Sequence, residues 1–202
     1  GAGADVLDGG AGTDTVDYSG STVAVTIHLD GTVSSGGDAT GDQLINVENL
    51  IGSSFDDTLT GSANNEIIWG GAGDDQISGG AGDDVLYGEG SDDVIEGGLG
   101  ADQIIGGNGN DTASYANAAA GVTVSLDGSA GTGGEATGDT LSGIENLIGS
   151  AFADILGGGG STETITAGAG DDRILGSAGA DILDGGTGFD MVDYSASAGA
   201  VT

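Results

Sequence analysis

The stretch that decides the fold runs from residue 70 to residue 114 and reads as five nine-residue lines: GGAGDDQIS, GGAGDDVLY, GEGSDDVIE, GGLGADQII and GGNGNDTAS. The lines share the pattern G-G-x-G-x-D-x-U-x, in which U is apolar. Glycine at the first, second and fourth positions permits a left-handed backbone and close approach of neighbouring chain segments. A repeat of fixed period predicts a solenoid, in which each unit packs only on its neighbours.

The same pattern, with interruptions, organises the whole chain. We divide it into the end of a repeat tract (1–17), a segment without the nonapeptide pattern (18–51), a seven-copy tract (52–114), a second copy of that segment (115–148), a five-copy tract (149–193) and the start of a third segment (194–202). We expect one continuous solenoid, in which the 34-residue segments form wider coils rather than separate domains.

The eighth position of the nonapeptide is apolar in every copy: Leu7, Val16, Leu59, Ile68, Ile77, Leu86, Ile95, Ile104, Ala113, Leu156, Ile165, Ile174, Leu183 and Val192. Because strand side chains alternate between faces, one apolar residue with outward neighbours predicts a three-residue strand. Two nonapeptides then close a coil, and coils stack about 4.8 Å apart. The predicted fold is all-β, a right-handed parallel β-roll. In the segments, a longer strand is predicted from the alternation of Val23, Val25, Ile27 and Leu29, and of Val122, Val124 and Leu126.

The charge of the chain requires a cation. Its 202 residues include 33 acids and one basic residue, for a formal net charge of −32. Stacking places the sixth-position Asp of one copy over that of the copy two ahead, and carboxylates about 5 Å apart repel by on the order of 3 kcal/mol at an effective dielectric of 20. Carboxylate and carbonyl oxygens select Ca²⁺, whereas zinc prefers Cys or His, and the chain has only His28. The sequence therefore predicts calcium binding coupled to folding.

The same charge excludes nucleic acid and anionic membrane surfaces as partners, since both bind basic patches. No apolar run is long enough to span a membrane, so no membrane insertion by this segment is expected.

The copies resemble the haemolysin-type calcium-binding repeats of bacterial RTX proteins, and the resemblance covers nearly the whole chain. It implies a β-roll that binds Ca²⁺, and export through a type I secretion channel to the cell surface or the medium. Pairing copies two apart gives five sites in the first tract and three in the second, so about eight or more Ca²⁺ ions are expected. The metal ligands that the resemblance implies are the sixth-position carboxylates Asp5, Asp14, Asp57, Asp75, Asp84, Asp93, Asp102, Asp111, Asp154, Asp172, Asp181 and Asp190. It also implies carbonyl ligands from the glycine-rich turns, taken here as Gly71, Gly73, Gly80, Gly82, Gly98, Gly100, Gly107 and Gly109.

Some acids depart from the pattern. Glu66 and Glu163 stand at the sixth position and are expected to weaken their sites. Residues 36–44 and 133–141 resemble a nonapeptide with its Asp displaced by one place, which makes Asp42 and Asp139 candidate ligands. The fifth-position acids are expected to be solvated edge charges: Asp74, Asp83, Asp92 and Asp171.

The resemblance does not imply one activity, because RTX proteins include toxins, proteases, lipases, alginate epimerases and giant adhesins. The chain contains no H-E-x-x-H and no G-x-S-x-G, so we predict that this part is not an enzyme. Repeats that run to both ends favour a stalk of a large secreted adhesin or an extracellular fibre. The alternative is a non-catalytic module of a secreted RTX enzyme or toxin, which a catalytic domain elsewhere in the full protein would reveal.

One outward face of the seven-copy tract is apolar. It carries Ile67, Trp69, Val85, Tyr87 and Ile105, while the opposite face is mostly polar. Exposed apolar patches with aromatic residues mark interaction surfaces. We expect lateral self-association through this face, or a neighbouring 34-residue segment folded over it.

Overall fold

The structure, a computed structural model, describes residues 1 and 3–195. These residues form twenty β-strands and two single-turn 3₁₀-helices, Gly37–Ala39 and Gly134–Ala136. The strands are β1 Val6–Asp8, β2 Thr15–Asp17, β3 Thr26–His28, β4 Gln43–Ile45, β5 Asn49–Ile51, β6 Thr58–Thr60, β7 Ile67–Ala72, β8 Gln76–Ala81, β9 Val85–Gly90, β10 Val94–Leu99, β11 Gln103–Asn108, β12 Thr112–Ser114, β13 Thr123–Ser125, β14 Thr140–Ser142, β15 Asn146–Ile148, β16 Ile155–Gly157, β17 Thr164–Thr166, β18 Arg173–Leu175, β19 Ile182–Asp184 and β20 Met191–Asp193. Part of the predicted third segment, 196–202, lies outside the described residues.

The strands form four parallel sheets. An eight-stranded sheet has the order β19-β17-β15-β12-β10-β8-β6-β3, and a six-stranded sheet has the order β14-β11-β9-β7-β5-β2. A four-stranded sheet, β13-β16-β18-β20, and the pair β1-β4 complete the set. The predicted all-β parallel roll is confirmed, and no helix of the described chain is long and apolar enough to cross a membrane.

Within the tracts, two strands make one coil. Ile95 pairs in register with Ile77 in the coil before it, and residues aligned in successive coils are 18 positions apart. The eighth-position residues form the core, and the ten inner ones, from Leu59 to Ile174, are no more than 2% exposed. At the two ends of the described stack, Leu7 and Val192 are 36% and 43% exposed, because only one coil covers each of them.

Five strands, β7 to β11, are six residues long rather than the predicted three. They continue into the glycine-rich turn, where the pairing of β8 with β10 extends to Gly80 and Gly98. These glycines have φ of 104° and 98°, a conformation that side-chain-bearing residues rarely adopt. The turns of successive coils therefore stack as closely as the strands do.

The 34-residue segments lengthen the coil, and within the second segment one sheet of the roll ends and another begins. Thr112 of β12 pairs with Asn146 of β15, and the aligned residues Asp111 and Glu145 are 34 positions apart. Between them the chain forms β13, the first strand of the four-stranded sheet, and β14, the last strand of the six-stranded sheet. The eight-stranded sheet thus continues across the second segment, while the six-stranded sheet ends there and the four-stranded sheet takes its place.

The predicted long strand of the first segment is wrong in its length. Only Thr26–His28 is a strand, although Val25 and Leu29 on either side are buried. Val23 is 52% exposed. Its carbonyl accepts a hydrogen bond from the Ser21 hydroxyl at 2.8 Å, which holds Val23 in a turn outside the sheet.

Candidate calcium sites

The sixth-position aspartates form columns along the edges of the roll. Most of them direct one carboxylate oxygen to the backbone N–H of the sixth-position residue one coil earlier. Oδ1 of Asp93 accepts the N–H of Asp75 at 2.9 Å, and Oδ1 of Asp111 accepts that of Asp93 at 2.9 Å. On the other edge, Oδ1 of Asp102 accepts the N–H of Asp84 at 2.9 Å. One oxygen of each side chain is therefore used to align the coils.

The second oxygen of these carboxylates is buried and has no partner. Within the described residues, this holds for Oδ2 of Asp14, Asp75, Asp84, Asp93, Asp102, Asp111 and Asp172. An unsatisfied buried polar atom costs about 1–3 kcal/mol, and more if it is charged. Burial, together with the charge of nearby carboxylates, accordingly raises the pKa of Asp75 and Asp84 to about 7 and that of Asp93 to about 6. A row of such oxygens needs positive charge beside it.

The unpartnered oxygens face backbone carbonyls across a narrow gap. A Cβ built on Gly88, the first residue of its repeat, would collide with Oδ2 of Asp93 and lie 2.6 Å from the carbonyl oxygen of Gly106. At Gly79, such an atom would collide with Oδ2 of Asp84 and lie 2.6 Å from the carbonyl oxygen of Gly97. Glycine keeps this space open, and two kinds of oxygen border it.

This donor set fits Ca²⁺. Among the described residues, no three side chains of His, Cys, Asp or Glu are grouped as metal ligands. An ion in the columns would have backbone carbonyl oxygens beside it as well as carboxylate oxygens, because both border the gap. Ca²⁺ accepts six to eight oxygens, carbonyls included, in a flexible geometry. The eight glycines that the resemblance implies as carbonyl ligands all have φ between 98° and 159°: Gly71, Gly73, Gly80, Gly82, Gly98, Gly100, Gly107 and Gly109.

The acids near the ends of the described stack are less enclosed. Asp5 and Asp190 are exposed. Asp181 is partly buried, and its Oδ2 accepts a hydrogen bond from the Ser177 hydroxyl at 2.9 Å.

The two sixth-position glutamates turn back onto their own loops. Oε2 of Glu66 accepts the N–H of Ser62 at 3.1 Å, and its other oxygen accepts the hydroxyl of the same serine. Oε1 of Glu163 accepts the N–H of Ser161 at 2.8 Å. Glu66 thus binds the serine four residues before it, as Asp57 binds Ser53, whereas Glu163 binds the serine two residues before it.

The nonapeptide frame of the segments begins one residue later than predicted. Leu44 pairs with Leu7, and Leu141 pairs with Ile104, so both lie at the eighth position. The frames are therefore 37–45 and 134–142, and Asp42 and Asp139 stand at the ordinary sixth position. Each continues a column, because Oδ1 of Asp42 accepts the N–H of Asp5, and Oδ1 of Asp139 that of Asp102, both at 2.9 Å.

Two further column members, Glu48 and Glu145, were missed by sequence reasoning. Oε2 of Glu48 accepts the N–H of Asp14 at 2.9 Å, and Oε2 of Glu145 accepts the N–H of Asp111 at 3.0 Å. Counting nine residues back from Gly52 would have found the first, since it places Glu48 at the sixth position of a copy that ends the segment.

The fifth-position acids are exposed, and they form an outer ladder of their own. Oδ1 of Asp92 accepts the N–H of Asn110 at 2.9 Å, and Oδ1 of Asp74 accepts that of Asp92 at 3.1 Å. These side chains accept hydrogen bonds from the backbone of the next coil at the solvent edge. The buried columns consist of sixth-position residues.

The nine-residue period, the glycine turns and the buried acid columns are those of one family. A model of the RTX calcium-binding nonapeptide repeat matches in four copies, over residues 1–20, 47–77, 78–113 and 157–192. The chain belongs to this family. RTX repeats bind Ca²⁺, and they are a non-catalytic kind of module. The matched copies include the columns at Asp75, Asp84 and Asp93. No curated protein was found to match the chain.

Proposed function

We propose that this chain is a calcium-dependent structural region of a large secreted or cell-surface bacterial protein, of the adhesin-stalk or extracellular-fibre kind. Ca²⁺ would enter the acid columns outside the cell and fold the chain there. The observation that carries this proposal is the set of buried, unpartnered carboxylate oxygens of the sixth-position aspartates. The long stack of coils, with repeats on both sides of each segment, supports an extended structural element.

The acid columns explain why folding would wait for calcium. Without a cation, closing the roll buries carboxylates that face one another, in a chain of net charge −32. Binding energy from the ions then becomes folding energy. Extracellular calcium modules have dissociation constants of about 10⁻⁴–10⁻³ M. A chain with sites of that strength would stay unfolded at low calcium and fold after export.

A circular dichroism titration tests the proposal. We expect little β-structure in EDTA and a cooperative gain of β-structure with Ca²⁺. We expect no comparable gain with Mg²⁺, which demands an octahedral site at about 2.0–2.1 Å and dehydrates reluctantly. Asp93→Asn serves as the matched variant, since it keeps the size of the side chain and removes its charge. Equal β-structure in EDTA, or an equal response to Mg²⁺, would contradict the proposal.

We further propose that the six-stranded sheet pairs sideways with a second copy of the chain. On its outer face, the rings of Trp69 and Tyr87 stack with centroids 5.7 Å apart and planes 3° apart. Ile51 pairs in register with Trp69, and Ile105 with Tyr87, so an apolar row crosses four strands. The acid columns lie at the edges of the roll, and Asp17 of β2, which pairs with Ile51, borders the apolar row at its end.

Quenching of Trp69 fluorescence by acrylamide, in the calcium-loaded protein, tests the pairing across a concentration series. Shielding that grows with protein concentration is the expected result, and Trp69→Ser should abolish the concentration dependence of the sedimentation coefficient. Shielding that does not change with concentration would show that the face is covered within one chain or stays free.

A further inference from the structure

Four buried aspartates of the columns differ from the others, because protein donors occupy both of their carboxylate oxygens. They are Asp42, Asp57, Asp139 and Asp154, each no more than 2% exposed. All four stand at the sixth position of their repeats, as Asp93 and Asp102 do. The difference lies in the second oxygen.

A tyrosine holds two of them. The Tyr115 hydroxyl donates to Oδ2 of Asp139 at 2.9 Å, and the Tyr18 hydroxyl donates to Oδ2 of Asp42 at 2.8 Å. Oδ2 is the atom that lacks a partner in Asp102, one coil earlier in the same column as Asp139. Tyr115 is 2% exposed and Tyr18 is 4% exposed, so each ring fills the space beside the carboxylate.

A serine holds the other two. Oδ2 of Asp57 accepts the N–H of Ser53 at 2.5 Å, and its Oδ1 accepts the Ser53 hydroxyl at 2.8 Å. Asp154 receives the same pair of bonds from Ser150, at 2.7 and 2.8 Å. Both serines stand at the second position of their nonapeptides. In the repeats whose aspartate has an unpartnered Oδ2, that position is most often glycine, which has no hydroxyl to donate.

The four aspartates stand where acid columns begin and end. Asp139 precedes β14, the last strand of the six-stranded sheet, and Asp42 precedes β4, the last strand of its pair. Asp57 reaches back to the N–H of Val25, beside the first strand of the eight-stranded sheet, at 2.8 Å. Asp154 does the same to Val122, beside the first strand of the four-stranded sheet, at 2.8 Å.

We infer that Asp42, Asp57, Asp139 and Asp154 hold no calcium ion. Beside the 34-residue segments, hydrogen bonds from the protein satisfy the buried carboxylates, whereas within the tracts calcium ions satisfy them. Two acid columns begin on a serine-held aspartate, Asp57 or Asp154, and two other columns end on a tyrosine-held one, Asp42 or Asp139. This inference rests on the proposed calcium-dependent folding, because it says which acids of the columns the ions do not use.

The physical reason is competition for one oxygen. A hydroxyl or a backbone N–H that donates to a carboxylate presents its proton to the lone pair that a cation would otherwise occupy, and it satisfies a buried acceptor without a metal. An ion at Oδ2 of Asp139 would have to displace the buried Tyr115 side chain. No such obstacle stands at Asp102.

Counting bound ions by native mass spectrometry, on the 202-residue chain in calcium, tests the inference. Asp139→Asn and Asp102→Asn are matched variants, since both aspartates are fully buried neighbours in one column. We expect Asp102→Asn to lose at least one ion and Asp139→Asn to keep the wild-type number. Loss of ions from both variants alike would overturn the inference, whereas a wild-type chain without bound calcium would overturn the proposed function instead.

Tyr115→Phe keeps the test decisive if Asp139→Asn does not fold. With the hydroxyl removed, Oδ2 of Asp139 becomes a buried oxygen without a donor, so we expect a lower melting temperature at saturating calcium and an unchanged number of ions. An unchanged melting temperature would show that an ion, rather than the phenol, satisfies Asp139, and it would overturn the inference.

Discussion

Replacing Asp93 by alanine should damage the fold far more than replacing its neighbour Asp92. Asp93 is 1% exposed and lies in the middle of its column, between Asp75 and Asp111. Its Oδ1 accepts the Asp75 N–H at 2.9 Å, and its Oδ2 has no protein partner. Asp92 is exposed and accepts only the N–H of Asn110.

The expected magnitude follows from these contacts. Leaving the buried Asp75 N–H without an acceptor costs about 1–3 kcal/mol. Asp93 would adjoin the proposed ion sites on both sides of its coil. With dissociation constants of about 10⁻⁴–10⁻³ M, each ion lost at about 10 mM Ca²⁺ removes roughly 1.4–2.7 kcal/mol. Asp92→Ala removes one hydrogen bond at the solvent edge, about 0.5–1.5 kcal/mol.

Urea unfolding at saturating calcium, together with the calcium midpoint of folding, measures the loss of stability in each variant. Asp93→Asn separates the lost hydrogen bond from the lost ions, since the amide oxygen still accepts the Asp75 N–H while the charge that would bind the ion is removed. We expect Asp93→Asn to fall between Asp93→Ala and Asp92→Ala. Equal losses for Asp93→Ala and Asp92→Ala would refute the assignment of Asp93 to the buried column.

Three further changes have expected outcomes. Because burial raises the pKa of Asp75 to about 7, its contribution to the stability of the metal-free fold is fully present below the ordinary Asp pKa of about 3.9 and is lost as pH rises through about 7. In EDTA, acidification from about pH 8 to about pH 5 should therefore increase the β-sheet circular dichroism signal. Glu89 and Ser91 have φ of 77° and 81°, so glycine at either position should raise the free energy of unfolding by up to about 1 kcal/mol, measured in urea. Ile95 is fully buried, so Ile95→Ala should cost about 2–5 kcal/mol in the same assay, whereas Val94→Ala, at a 42% exposed outward position, should cost far less.

The repeat itself could be predicted from the sequence because its physical constraints recur in phase. Apolar residues every nine positions place the core, and Ile77 and Ile95 do pair as stacked core residues. The glycines at the second and fourth positions do adopt the left-handed backbone, as at Gly80 and Gly82. Each of these features depends only on local spacing, which a single sequence displays.

The hydrogen bonds that satisfy the aspartates at the ends of the columns could not be predicted in the same way. Tyr115 and Asp139 are 24 positions apart, and nothing in their spacing shows that the chain brings them together. Their contact depends on the change of sheet within the segment, where β13 and β14 lie in different sheets. Glu145 was missed because Thr140 and Leu141 replace the first two glycines of its copy, although counting nine residues back from Gly149 places it at the sixth position.

The most direct test of the account is anomalous diffraction from crystals grown in calcium. We expect ions within about 2.3–2.6 Å of Oδ2 of Asp75, Asp84, Asp93 and Asp102, each completed by backbone carbonyls of the glycine-rich turns. We expect no ion at Oδ2 of Asp139, where the Tyr115 hydroxyl donates. A folded roll whose four unpartnered oxygens lie beside no anomalous peak would contradict the central claim.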